Sequence, residues 1–285
     1  MHLSENKQQL LTRIANSLQQ VEGVAAVVLG GSYAAGMASD QSDLDIGIYY
    51  HADKPFKAED ISRVVAQYAV SPATVTGFYE WGPWVNGGAW MMTTAGKVDF
   101  LYRNVQQVQE TIDKAQQGIW ENHYEQQPPY GFSSVIYLAE VSICRPLYDP
   151  AGVLAAWKEI VSVYPPALKE TIIRESLWSA DFTLWQTAGF AEKQDVYNTV
   201  GCLARAVKNM MAALFAINER YPLGDKRVTA QLQGAAKLPA GLQEKMEAVL
   251  CVSKTTITEN VERLKALHRD VVLLSDGLYK PLYQL

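Results

Sequence analysis

The sequence predicts an α+β fold, with a mixed sheet in the first part of the chain and an α-helical bundle in the second. As far as residue 126, apolar runs typical of strands alternate with helical patterns. Beyond that point the strand patterns stop, and long helical stripes of apolar residues follow. The change falls at a polar stretch, 125–131, that contains Pro-Pro and ends in glycine. We therefore expect a first domain over 1–126 and a helical domain over 127–285.

The first part begins with an amphipathic helix and then a short apolar strand. Residues 4–21 place three leucines and Ile14 on one side of a helix, and 24–29 form an apolar run that suits a buried strand. Residues 43–50 alternate between apolar and other residues, which predicts a second strand. The remaining expected elements are a helix over 58–70, a strand over 74–79, strands over 89–92 and 98–102 that pair across a glycine turn, and a helix over 105–119.

The second part of the chain contains repeated apolar stripes with helical spacing. Between Val196 and Ile217 apolar residues recur at steps of four and three, which predicts a helix of about six turns with one buried seam. Similar stripes cover 173–188 and 257–274. Three or more such helices predict a bundle.

The composition limits the class of protein. The chain has 285 residues, and its hydrophobic fraction of 48% and charged fraction of 19% are typical of a globular protein. A net charge of −5 does not indicate a general nucleic-acid binder. The three cysteines are far apart, which does not suggest a zinc site. We find neither an apolar leader at the start nor an apolar run of about 18 residues, so we expect a cytoplasmic protein without a membrane span. The sequence leaves a homodimer open.

A Gly-Gly-Ser turn follows the first strand. Glycine allows positive φ angles and a close approach of the backbone to a ligand, and Gly30 and Gly31 supply both. Ser32 offers a hydroxyl group and a possible cap for a following helix. Backbone N–H groups at a helix start are suited to a phosphate group, so we predict a phosphate site here.

Two carboxylates lie at the start of the strand over 43–50. Asp43 and Asp45 are two residues apart, and strand geometry puts their side chains on one face. Carboxylate oxygens are ligands that Mg²⁺ prefers, often together with substrate phosphates. Two ions about 4 Å apart stabilise the attacking and leaving oxygens of an in-line displacement. The pair therefore predicts a site for one or two Mg²⁺ ions.

Gly31, Ser32, Asp43 and Asp45 together resemble the signature of the nucleotidyltransferase superfamily of the DNA polymerase β type. The branch that the chain resembles most is the small-molecule group, which includes aminoglycoside nucleotidyltransferases. That family has a third carboxylate on a later strand, and Asp99 within 97–102 matches it. The resemblance implies that Asp99 is either the third metal ligand or the base that deprotonates the acceptor. Glu80 is the rival candidate for the base.

The resemblance also implies an activity. An enzyme of this kind binds a nucleoside triphosphate, here expected to be ATP, with two Mg²⁺ ions and transfers the nucleoside monophosphate to a hydroxyl group. The implied acceptor is a small molecule such as an aminoglycoside-like antibiotic, and pyrophosphate is released. Two alternatives stay open: a protein-modifying (AMPylating) or antitoxin-like nucleotidyltransferase, and a non-catalytic nucleotide-binding module.

Three further features have both a functional and a structural interpretation. In the resembling family a helical domain completes the cleft, which implies that Lys226 contacts the triphosphate, although Pro222 and Gly224 also form an ordinary helix stop. The Trp- and Gly-rich loop 81–90 offers aromatic faces near the cleft or fills the core. Arg103 offsets acidic charge or contacts phosphate, or it is an ordinary surface cation at the end of a strand.

Overall fold

The computed structural model describes residues 3–39 and 41–283, and it confirms an α+β fold with a mixed sheet. The strands of the described chain are β1 (Val24–Leu29), β2 (Leu44–Tyr50), β3 (Thr74–Val75), β4 (Gly88–Thr93), β5 (Gly96–Asn104), β6 (Asn122–His123), β7 (Phe132–Ser133) and β8 (Arg145–Tyr148). Its helices are α1 (Glu5–Leu18), α2 (Gly31–Ala34), α3 (Ala58–Ala66), α4 (Val105–Gln116), α5 (Val135–Ile143), α6 (Val153–Val161), α7 (Pro166–Glu192), α8 (Val196–Ile217), α9 (Val228–Gln231), α10 (Leu242–Leu250) and α11 (Ile257–Leu273).

The chain divides into two compact units. The first consists of Met1–Asp113 and Asn122–Val163, and the second of Lys114–Glu121 and Tyr164–Leu285. The main division thus falls after residue 163, whereas the sequence placed it after residue 126. The strand β8 is the physical reason for the difference, because it pairs with β1 and so belongs to the N-terminal sheet.

The main sheet of the first unit has, among the described residues, the strand order β3-β4-β5-β2-β1-β8. The strands β2 and β5 are parallel, and the other neighbouring pairs are antiparallel. The strand predicted over 74–79 is shorter than expected. It stops at Val75 because a turn follows, in which the Glu80 carboxylate accepts a hydrogen bond from Gly77 N–H at 2.6 Å.

One face of this sheet forms the core of the first unit. Apolar residues at alternate positions of β2 and β5 are buried against α1 and α3, as period-2 and helical patterns require. The buried set includes Leu44, Ile46, Ile48, Val98, Phe100 and Tyr102 of the sheet and Leu11, Ile14, Leu18, Ile61, Val64 and Val65 of the two helices. The opposite face of β2 and β5 is left for the residues between these positions, which include the predicted acids.

The second unit contains the predicted bundle, built largely from α7, α8, α10 and α11. The apolar seam of α8 is buried from Leu203 to Ile217, but Val196 and Val200 in its first turns are exposed. By length and composition α8 is the one helix of the described chain that is apolar enough to cross a membrane. Since 61% of its most apolar window is buried within the fold, it also fits the description of a core helix.

Candidate active site

The glycine turn after β1 contacts Asp45, one of the predicted acids. Gly30 N–H donates to the carbonyl oxygen of Asp45 at 2.8 Å, which ties the turn to β2. Gly31 has a φ of +56°, a left-handed conformation that favours glycine. A Cβ atom at this position would lie 1.7 Å from Asp45 Oδ2. The absence of a side chain at Gly31 therefore makes room for the Asp45 carboxylate.

The helix after the turn is shorter than a phosphate-binding helix usually is. Gly30 occupies the N-cap position of the four-residue helix α2, so Ser32 lies inside the helix and does not cap it. Its side chain is partly accessible. The assignment of Gly31 and Ser32 to phosphate binding stays a prediction.

The parallel pairing of β2 and β5 brings the acids together. Asp45 lies directly opposite Asp99 in this pair, and Asp43 is two residues before Asp45. Because side chains in register on neighbouring strands share a face, the three carboxylates lie on the sheet face opposite the core. The Asp99 side chain is 15% exposed and that of Asp43 is 38% exposed, so both are accessible from solvent.

A lysine that the sequence analysis did not single out lies between two of these acids. Lys97 Nζ donates to Asp99 Oδ2 at 2.8 Å and to Asp43 Oδ2 at 3.1 Å. The hydrogen bond to Asp99 is the largest of the effects that raise the pKa of Lys97 above its ordinary value. The signal was present in the sequence, because Lys97 and Asp99 are two residues apart in one strand and so share a face.

The donor set suits a hard cation, although a cationic side chain occupies it. One ammonium group bridges carboxylate oxygens of Asp43 and Asp99, which shows that the two oxygens converge on a position for a positive charge. Carboxylate oxygens are also the preferred ligands of Mg²⁺. Within residues 3–39 and 41–283, no three His, Cys, Asp or Glu side chains are arranged to hold a metal ion as they stand. A metal ion would have to take the place of the ammonium group.

The acid face of the sheet continues into a small pocket below Asp45. The free space, including solvent at its mouth, is about 370 Å³. Gly47 lines the pocket, and a side chain at this position would be crowded, since its Cβ would lie 2.8 Å from a Val28 methyl carbon. The residues that line the pocket are Val28, Gly30, Gly31, Asp45, Gly47, Tyr49, Leu101, Arg103, Glu140 and Cys144.

Two of the residues that line this pocket form a buried ion pair. Arg103 donates from Nε and Nη2 to the two carboxylate oxygens of Glu140, each at 2.7 Å, and its side chain is only 7% exposed. Burial lowers the pKa of Arg103, but the charge and hydrogen bonds of Glu140 outweigh it and raise the pKa. Arg103 thus offsets the charge of an acid, Glu140 of α5, and because it is buried its interpretation as a surface cation was wrong.

The Trp- and Gly-rich loop combines a structural and an exposed part. Asn86 is buried, and its amide oxygen accepts a hydrogen bond from Asn104 N–H at 2.8 Å. Trp84 is also buried and stacks on Phe132. Trp81, in contrast, is 42% exposed and packs on Trp90 with ring centroids 4.2 Å apart. The loop thus supports the fold at one end and presents an aromatic surface at the other.

This aromatic surface adjoins the acids. Trp90 of β4 is the antiparallel register partner of Asp99, and directly opposite residues place their side chains on the same face. Glu80 precedes Trp81 in the same loop and is exposed. The structure thereby puts Glu80 in the segment next to the acid face, while its role as a base stays a prediction.

Lys226 belongs to the second unit. It is exposed and lies in the segment between α8 and α9, where its carbonyl oxygen accepts a hydrogen bond from Gln231 Nε2 at 2.8 Å. The contact between Lys226 and a triphosphate remains a prediction.

Comparison with known proteins identifies the N-terminal part of the chain. A family model described as the nucleotidyltransferase domain matches residues 11–80, which contain the glycine turn, Asp43, Asp45 and Glu80. No curated protein matches the chain in sequence. A solved structure, that of a nucleotidyltransferase-like protein from Exiguobacterium sibiricum 255-15, is 10% identical, with 95% of this chain and 77% of that chain covered at a TM-score of 0.47. The match over residues 11–80 supports a nucleotidyltransferase domain in the N-terminal part of the chain, and with it the transfer of nucleoside monophosphates in general.

Proposed function

We propose that this enzyme transfers AMP from ATP, in the presence of Mg²⁺, to a hydroxyl group of a small cationic acceptor similar to an aminoglycoside. One observation carries the proposal. Asp45 and Asp99 lie side by side on parallel strands, with Asp43 at the start of β2 and all three on one accessible face. Such a set of carboxylates is the ligand chemistry that magnesium–nucleotide complexes require.

The acids and the glycine turn would both bind the nucleotide, the acids through Mg²⁺ and the turn through the phosphates. Asp43, Asp45 and Asp99 would hold Mg²⁺, which when bound neutralises phosphate charge and orients the phosphate groups. Gly31 and Ser32 would donate hydrogen bonds to the phosphates that leave, and Lys226 would add a positive charge. Catalysis in this class then depends on position and charge more than on a covalent intermediate.

The transfer itself forms one bond and breaks another. The acceptor oxygen bonds to the α-phosphorus, the bond between that phosphorus and the α–β bridging oxygen breaks, and pyrophosphate leaves with the electron pair. The acceptor proton passes to a carboxylate. We assign this role to Glu80, because Asp99 would be a ligand of Mg²⁺, and a carboxylate bound to a cation is a poor proton acceptor. Glu80 is exposed and can turn toward a bound acceptor.

The packed pair of tryptophans favours a cationic, ring-shaped acceptor. Trp81 presents an exposed aromatic face, and Trp90 places this pair beside Asp99. Aromatic faces attract cations and pack on the C–H faces of sugar rings, and neighbouring carboxylates attract ammonium groups. An amino sugar matches both properties better than a neutral or anionic acceptor.

Release of pyrophosphate tests the proposed activity. The protein is incubated with Mg²⁺, each NTP labelled at the α-phosphate, and a panel of amino-sugar acceptors. We expect release with ATP and label on an acceptor, and Asp45→Asn should lower the rate by at least about a hundredfold. Asp53→Asn is the matched control, because it makes the same change at an exposed position of the turn after β2. Label on the protein itself would favour a protein acceptor, and no release with any acceptor would favour a binding module.

Two further variants separate the roles within the site. Glu80→Gln should lower kcat by roughly 10²–10⁴-fold, while Mn²⁺ binding is unchanged. Trp81→Ala should raise the KM for the acceptor by about tenfold and leave the KM for ATP unchanged. If Glu80→Gln has full activity, Asp99 becomes the base.

A further inference from the structure

Lys97 holds the acid cluster together without a metal ion. Its ammonium group lies within hydrogen-bond distance of a carboxylate oxygen of Asp43 and one of Asp99. Asp43 immediately precedes β2 and Asp99 lies in β5, so the lysine joins the start of β2 to β5. Three carboxylates on one face repel one another, and one internal positive charge reduces that repulsion.

The position of Lys97 allows it to leave. The Lys97 side chain is 40% exposed. The residue is the second of β5, close to the turn that joins β4 to β5. A lysine side chain is a flexible four-carbon stem with a strongly hydrated head group, so its ammonium group can exchange a carboxylate for water at small cost. Ion pairs that are partly exposed contribute little each, which also makes them replaceable.

We propose that Lys97 is a resident cation that divalent ions must displace before they bind to the acids. It occupies the position between Asp43 and Asp99 in the nucleotide-free enzyme and leaves that position when a divalent ion arrives. The ammonium group therefore competes with the metal ion and weakens its binding. This inference rests on the proposed function, because it takes the three acids as metal ligands.

The competition has a consequence for the order of binding. A bare divalent ion must replace two ion pairs of Lys97, whereas an ion that arrives with a triphosphate brings anionic oxygens to which the released ammonium group can bind. Lys97 thus makes the enzyme select the metal–nucleotide complex over the free ion. Before the nucleotide binds, Lys97 acts as a positioning residue for the acids.

Binding of Mn²⁺ in the absence of nucleotide tests this inference. The electron paramagnetic resonance signal of free Mn²⁺ gives the dissociation constant for the full-length protein. In Lys97→Met the dissociation constant should fall by about tenfold, which corresponds to about 1.4 kcal/mol. In Lys97→Arg, whose planar fork pairs more firmly with carboxylates, it should stay equal or rise. Lys57→Met is the matched control for the loss of one positive charge at an exposed position, and it should change the constant by less than about twofold.

The outcomes distinguish this inference from the metal site itself. Asp43→Asn should weaken Mn²⁺ binding both alone and together with Lys97→Met. If Asp43→Asn weakens Mn²⁺ binding while Lys97→Met leaves the dissociation constant unchanged or raises it, Lys97 only stabilises the arrangement of the acids. In that case competition between its ammonium group and the metal ion is refuted. If none of the proteins binds Mn²⁺, or if Asp43→Asn has no effect, the assignment of the acids to a metal is refuted as well.

Discussion

Alanine at position 31 should displace the Asp45 carboxylate. The φ of +56° at Gly31 costs an L-residue about 1–2 kcal/mol. In addition, the new Cβ would lie 1.7 Å from Asp45 Oδ2 and 2.8 Å from Asp45 Cβ, where carbon contacts normally begin at about 3.5 Å. A rotamer change moves Oδ2 but leaves Cβ in place, so β2 or the turn must also shift.

Gly36 supplies the matched control for this substitution. It has a φ of +74° and lies in the same loop, but a Cβ there would meet no atom within 4 Å. Gly36→Ala should therefore lower the free energy of unfolding by the backbone cost alone, about 1–2 kcal/mol. Gly31→Ala should lower it by about 1–3 kcal/mol more, as overpacking does.

Urea unfolding and pyrophosphate release measure the two effects. A carboxylate that is misplaced by about 1 Å costs on the order of a hundredfold in rate, so Gly31→Ala should lose this much activity while Gly36→Ala keeps its rate within about twofold. Equal stability and equal activity of the two variants would show that Asp45 does not depend on the space at Gly31.

Three more predictions concern buried ionisable groups. Glu140→Gln should lower the free energy of unfolding in urea by about 2–3 kcal/mol, because it leaves the buried Arg103 guanidinium without an opposite charge; a loss below about 0.5 kcal/mol would contradict a stabilising pair. Burial lowers the pKa of His268, so the unfolded chain binds a proton at a pH where the folded chain does not. Stability should thus be complete above about pH 6.5 and fall below it by at most about 1.4 kcal/mol per pH unit, and in His268→Gln urea titrations from pH 7.5 to 5.5 should show a smaller fall. Burial raises the pKa of Cys144 to about 11, so a thiol reagent at pH 8 should modify the exposed Cys251 at once and Cys144 only on unfolding; equal rates would contradict the burial of Cys144.

Local sequence patterns were sufficient for much of the first unit. The alternation in β2 predicted which side of the strand carries Asp43 and Asp45, because the side-chain period of a strand is two. The same rule applied to β5 predicted that Asp99 lies between buried neighbours. The structure adds the register of the parallel pair, which puts Asp45 opposite Asp99. A parallel pairing joins strands that are far apart in the chain, so no short sequence window specifies it.

Three features that sequence patterns missed depend on contacts between distant residues. The pairing of β8 with β1 shifted the boundary of the first unit, and a four-residue strand with a proline at position 146 has too weak a local pattern to be recognised. In the sequence Arg103 resembles a surface cation, and its burial is explained by its hydrogen bond to Glu140 of α5. Lys97 shares a strand with Asp99, but its contact with Asp43 requires the sheet.

Isothermal titration of Mg·ATP tests the acid site most directly. Wild-type protein and the double variant Asp43→Ala/Asp45→Ala are compared with and without Mg²⁺, and circular dichroism verifies that both are folded. We predict saturable binding of Mg·ATP to the wild-type protein, a loss of that binding when Mg²⁺ is removed, and no measurable binding to the double variant. Equal affinity of both proteins for Mg·ATP would contradict the assignment of these carboxylates to a metal–nucleotide site.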